Sequence, residues 1–178
     1  MKLTILGSGT AIVTARRGSS GYLIKIADKT LLLDSGSGTL RKIAEASSSF
    51  KEIDYAIYTH LHPDHVTDLI SLLFALRIPS NYKSKDLTVI GPAGMKEFHR
   101  KLTETFDNFI EPRGYELTIN ELSGGDLDFE DFKLTSSLIN HHEGSLAYRV
   151  EEKGGKTIVY SGDTDYCESI VELARDVD

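Results

Sequence analysis

The stretch His60-Leu61-His62-Pro63-Asp64-His65 sets three imidazoles and a carboxylate within six residues, directly after the apolar run Ile53–Thr59. His60 and His62, two positions apart, can point the same way from an extended segment, because side chains alternate with period two. Pro63 stiffens the loop, and Asp64 and His65 can then turn toward a second position nearby. Neutral imidazole and carboxylate are ligands that suit zinc, iron or manganese. A solvated polar turn accounts for one histidine, but poorly for this cluster. The fold must therefore deliver a strand end onto a loop above a rigid scaffold, where site residues commonly sit. Of the six histidines in the chain, five fall in two short groups, the second being His141-His142.

The rest of the chain supplies such a scaffold. Lys2–Leu6 reads as a strand, and Gly21–Ala27 with Thr30–Leu33 as a hairpin turning at Asp28-Lys29. Thr39–Ala46 has helical spacing with Thr39 as its cap, and Ile53–Thr59 alternates like a strand. Thr67–Arg77 reads as an apolar helix stopped by Pro79, and Met95–Phe109 as an amphipathic one. Leu87–Ile90, Glu116–Leu122, Lys133–Leu138, Leu146–Glu151 and Thr157–Ser161 read as strands, with glycine pairs at 124–125 and 154–155 as turns. Ser169–Ala174 begins a last helix. Strands outnumber helices while helices recur between them, which points to an α+β arrangement of sheet layers covered by helices.

Composition narrows the function classes. The 178 residues suit one domain, residues 1–178, and 40% apolar content excludes a disordered chain. No apolar run reaches the roughly 20 residues of a membrane helix, and the N-terminus lacks a signal-peptide hydrophobic region. The single cysteine, Cys167, forms no internal disulfide, so a cytoplasmic location is expected. The net charge of −7 argues against broad affinity for nucleic acid.

The motifs resemble those of the metallo-β-lactamase-fold hydrolases. His60–His65 is similar to the family signature. Leu6-Gly7-Ser8-Gly9-Thr10, Leu31–Gly36, a later histidine and Ser161-Gly162-Asp163-Thr164 follow in the family's order. The opening glycine loop is closest to the ribonuclease Z-like branch and related phosphodiesterases. The resemblance covers essentially the whole chain and implies an αββα four-layer sandwich. It implies two divalent metal ions, zinc foremost, with manganese or iron as alternatives. His60, His62 and a histidine of the 141–142 pair would hold the first ion, Asp64 and His65 the second, and Asp163 would bridge them. In similar sequences the ligand lies four residues before the small residue opening the next strand, here Ser145, which favours His141 and leaves His142 as a loop side chain or a substrate contact. Asp34 would orient the metal-binding loop through a hydrogen bond rather than touch metal.

The chemistry implied is metal-assisted hydrolysis, with Asp64 also orienting or deprotonating the attacking water. A small or general phosphodiester is the expected substrate. Transfer-RNA processing is disfavoured by Ser37, which stands where those nucleases carry glutamate, and by the 21 residues between His141 and Asp163, too few for the RNA-gripping arm. A thioesterase or lactonase is the runner-up. The third reading is a non-catalytic metal-binding fragment needing a partner, because only 15 residues follow Asp163 and no histidine follows His142. On that reading the last strand–helix segment and the final ligand of the second site are missing. A homo-oligomer is left open, and no membrane partner is expected.

Other features read blandly. Gly7-Ser8-Gly9 lacks the third small residue of a dinucleotide loop, since position 12 is Ile12. Arg16-Arg17 reads as solvated loop, His99 as a surface residue, Cys167 as packing, and Tyr148 and Tyr160 as ordinary strand residues.

Overall fold

The computed structural model describes residues 1–12, 14–78 and 85–178. Among these, β1 (Lys2–Gly7), β2 (Gly21–Ile26), β3 (Lys29–Ser35), β4 (Tyr55–Ile57), β5 (Leu87–Pro92) and β6 (Leu117–Leu122) form one sheet in chain order. The β1–β2 and β2–β3 pairs are antiparallel, whereas β3 through β6 run parallel. β7 (Gly125–Asp128), β8 (Phe132–Leu138), β9 (Leu146–Glu152) and β10 (Thr157–Tyr160) form a second, antiparallel sheet ordered β10-β9-β8-β7.

Helices α1 (Thr39–Glu45), α3 (Asp68–Leu76) and α4 (Met95–Phe106) cover the outer face of the first sheet; the short α2 (Pro63–Val66) leads into α3. Leu32, Ala56, Leu72, Leu76 and Val89 are among the side chains that fill that layer. Between the sheets lies a second core that includes Leu31, Leu33, Ile57, Phe132, Leu134 and Tyr148. α5 (Glu168–Leu173) packs against β8 and β9, completing a helix–sheet–sheet–helix sandwich of the α+β class. No helix among the described residues is long and apolar enough to cross a membrane.

Several local expectations are corrected. The run Ile53–Thr59 is a strand only over Tyr55–Ile57, and Ala56 and Ile57 are both fully buried. Parallel strands with helices on one face and a sheet on the other bury both sides, so alternation is no guide there. The β2–β3 hairpin turns at Ala27-Asp28, with Ala27 at φ 48°, and Lys29 already pairs with Ile26. Thr39 does not cap α1. Gly38 takes that position at φ 89°, Thr39 Oγ1 donates to the Gly36 carbonyl, and Asp68 on α3 accepts from the Leu40 amide. The helix expected from Thr67 begins at Asp68 as α3, and a separate short turn, α2, precedes it from Pro63, whose missing N–H is harmless in a first turn. Pro79, expected to stop it, lies outside the described residues; the helix ends at Leu76. α4 ends at Phe106, and Asp107–Ile110 continues as a 3-10 turn. β7 carries no strand signal in the sequence, because Gly125 opens it and its charged Asp126 and Asp128 sit on an exposed edge strand. His99 is half-buried rather than superficial, with Nε2 shielded from solvent and its pKa lowered by burial.

Candidate metal centre

Loops following β3, β4, β8 and β10 meet at one end of the two sheets. Asp34 lies near the end of β3, fully buried and at φ 51°. His60 follows β4 with 2% exposure. His62 is the residue preceding α2, which places Asp64 and His65 in a helical first turn rather than in an irregular loop. His141 follows β8 and Asp163 follows β10.

Two glycines let these loops close. A Cβ on Gly36 would sit 1.9 Å from the Asp64 carbonyl oxygen, so only a bare backbone lets the β3 loop pass under α2. Gly162, at φ 58°, would bring a Cβ 2.8 Å from Thr59 Cβ, and the turn it permits carries Asp163 inward. The loops also bond one another. The Asp165 amide donates to the Asn140 carbonyl at 2.8 Å, and the Leu146 amide to the Thr59 carbonyl at 2.9 Å.

Asp34 organises the histidines. Its Oδ1 accepts from the Thr59 amide at 2.8 Å. Its Oδ2 accepts from Thr59 Oγ1 at 2.9 Å, from His65 Nδ1 at 2.6 Å and from the Tyr160 hydroxyl at 2.6 Å. Because Thr59 spends its proton on Asp34, its oxygen can only accept from His60 Nδ1, 3.0 Å away. Both rings are thereby fixed with a proton on Nδ1 and a lone pair on Nε2.

Those lone pairs converge. His60 Nε2 lies 3.0 Å from His62 Nδ1, which lies 3.2 Å from His141 Nε2. One proton on His62 Nδ1 can serve only one of the two facing nitrogens, whereas a cation serves all three. His65 Nε2 faces Asp163 Oδ1 at 3.4 Å and Asp64 Oδ2 at 3.6 Å. Among the described residues, two groups therefore have ligand atoms mutually within 4.8 Å: His60, His62 and His141, and His60, His65 and Asp163. Neutral nitrogens with carboxylates fit a divalent metal of the zinc, manganese or iron type. Asp64 stands beside the second group without belonging to it. His142 turns its Nδ1 to the Glu143 carbonyl at 3.1 Å, and its ring lies 5.4 Å from that of His62.

The electrostatics follow from this wiring. Burial, reinforced by nearby His65, lowers the His60 pKa to about 4, so its lone pair is free at neutral pH. Burial pulls His65 down, but the Asp34 hydrogen bond and the charges of Asp34, Asp163 and Asp64 outweigh it and leave the ring raised. Burial and Asp34 push the Tyr160 phenol far up, keeping it a donor.

Tyr160, Thr59 and Ser20 were missed as site residues by sequence reasoning. Tyr160 is no ordinary strand residue: it binds Asp34 and also contacts Ser20 Oγ at 2.7 Å. Its one sequence signal is its place three residues before Asp163. Tyr148, fully buried, donates to the Tyr58 carbonyl at 2.9 Å, a second tie between the sheets. Cys167 precedes α5 half-buried, with its thiol lowered to about 7 by hydrogen bonds from Ser169 and the backbone.

Comparison with known proteins agrees with this architecture. A family described as the metallo-beta-lactamase superfamily matches residues 14–176. A ribonuclease Z of Archaeoglobus fulgidus is 30% identical over 152 residues, covering 85% of this chain and 48% of the relative. A ribonuclease Z of Nanoarchaeum equitans is 33% identical over 150 residues, covering 84% and 46%. The chain thus spans about half the length of these curated relatives. Among solved structures, the short form of human tRNase Z superposes with TM-score 0.80 at 23% identity, covering 97% of this chain and 74% of that one. A metallo-beta-lactamase fold protein from Bacillus subtilis gives TM-score 0.81 at 24% identity, covering 99% and 68%.

Proposed function

We propose that this chain, which belongs to the metallo-beta-lactamase superfamily, carries the metal centre of a phosphodiesterase that hydrolyses its substrate with a metal-activated water. The observation that carries this reading is the convergence of ring nitrogens and carboxylate oxygens around His60, with the tautomers of His60 and His65 set by one buried carboxylate.

In this reading His60, His62 and His141 would hold one divalent ion, and Asp64, His65 and Asp163 would hold a second, with Asp163 shared. Zinc is the first choice for such ligands. When bound, such ions lower the pKa of a shared water and stabilise charge developing on a phosphoryl oxygen. The chain's own residues do the positioning. Asp34 and Thr59 engage the Nδ1 atoms of His65 and His60, which leaves the Nε2 atoms aimed inward as the ligating nitrogens. Asp64, 3.6 Å from His65 Nε2, is placed to accept a proton from the attacking water. His142, exposed beside His62, is available to the substrate.

For the substrate class, the relatives named ribonuclease Z support an RNA phosphodiester over the small phosphodiester that acidic composition favours. The test is hydrolysis of bis(p-nitrophenyl) phosphate and of a short RNA by metal-loaded protein, alongside thioester and lactone panels. Phosphodiester turnover that disappears in His62→Ala supports the reading, and turnover confined to thioesters or lactones overturns it.

A further inference from the structure

We propose that Tyr160 is a positioning residue for the His65–Asp163 half of the metal centre, acting through the carboxylate of Asp34. This rests on the metal-centre reading above and adds a specific, asymmetric role to a residue outside the ligand set.

Tyr160 ends β10 in the second sheet, and Asp34 lies near the end of β3 in the first. The phenol donates to Asp34 Oδ2 at 2.6 Å, the same oxygen that receives His65 Nδ1–H at 2.6 Å. With its proton committed to Asp34, the phenol oxygen accepts from Ser20 Oγ at 2.7 Å, and the Tyr22 ring packs 4.9 Å from its own. The hydroxyl is therefore held by β3, by the segment before β2, and by its own strand.

The consequence reaches both partners of the second group. Through Asp34 the hydroxyl fixes the His65 ring. Through the backbone it fixes the end of β10, from which Ser161 and Gly162 carry Asp163 to 3.4 Å from His65 Nε2. The first group is pinned differently. His60 is set by Thr59 Oγ1, and the segment after His141 is tied by the Leu146 amide to the Thr59 carbonyl. Thr59 still holds Asp34 Oδ1 through its amide when the phenol hydroxyl is gone. Loss of that hydroxyl leaves Oδ2 with Thr59 Oγ1 and His65 alone and loosens the end of β10 that carries Asp163. The Thr59 bonds that set His60 stay in place, so the His65–Asp163 group is disturbed more than His60.

The test is Co2+ titration of the full chain, followed by visible absorbance, in wild type and Tyr160→Phe. We expect the binding step that His65→Ala abolishes to lose tenfold or more in affinity, the scale seen for partners of metal ligands, with the other step within twofold. In the metal-free variant the ring 15N signals of His65 should show a changed or mixed tautomer. Ser20→Ala should move both readouts the same way by less, and stands in should Tyr160→Phe fold poorly. Tyr148→Phe, which removes another phenol bridging the sheets, should leave both steps unchanged. Two unchanged steps in Tyr160→Phe, equal weakening of both, or the same effect from Tyr148→Phe would overturn the inference. A wild type with one step or none overturns the two-ion reading and the inference with it, which separates the two failures.

Discussion

Nδ1 of His65 lies 2.6 Å from Oδ2 of Asp34, a carboxylate with no solvent exposure. A carboxylate withdrawn from water this completely survives only if its oxygens are satisfied, and four donors do so here. The network also explains how one residue, contributing no ligand atom to either group, orients two histidines of a metal centre.

Asp34→Asn should therefore damage both binding and stability. An amide keeps the shape but offers one weaker acceptor oxygen and places two donors among existing ones. Divalent-ion affinity should fall between about tenfold and a hundredfold. The metal-free protein should lose roughly 3 kcal/mol, the scale of charge-assisted hydrogen bonds left unmade. Isothermal titration and denaturant melts of wild type and variant check the two parts.

Acid should destabilise the metal-free protein through His60. Its folded pKa of about 4 lies below the ordinary value, so between the two the unfolded chain binds the extra proton and stability rises with pH. His65 works in reverse. Its raised value gives stability that is complete below the ordinary histidine pKa and lost as pH rises through the folded one. The thermal midpoint of metal-free wild type should drop from pH 6.5 to pH 4 on this account. The drop should shrink in His60→Gln, as differential scanning calorimetry would register.

How much of this was readable in advance varies with the range of the interaction. The ligand types declare themselves within six consecutive residues, and the strand before them is marked by its apolar run. The resemblance points to Asp34 as an orienting residue, but its partners Thr59 and Tyr160 do not declare themselves, because the hub joins β3, the segment after β4, α2 and β10, up to 126 residues apart, whose approach only the packed sandwich decides. Thr39 illustrates the same limit at short range. It has good capping chemistry, yet the turn permitted by Gly38 and a carboxylate from α3 do that work instead. At Tyr55–Ile57, burial on both faces means that the alternation read over Ile53–Thr59 marks no solvent-facing side.

Gly36→Ala should be costly despite its small size. The added carbon would meet the Asp64 carbonyl at 1.9 Å and Ser19 Cβ at 2.3 Å, so α2 or the β3 loop must move. Overpacking of this kind costs roughly 1–3 kcal/mol. The displaced turn carries Asp64 and His65 with it, so metal affinity should fall together with the melting temperature. A variant that melts like wild type would show that the loop yields more easily than its packing implies.

The most direct check of the two-ion centre is the number of divalent ions bound per chain. Protein stripped of metal, reloaded with excess Zn2+, desalted and analysed by mass spectrometry should carry two ions per chain in wild type. His62→Ala, which removes the nitrogen between His60 and His141, should carry one or fewer. Equal metal content in the two proteins would contradict the account.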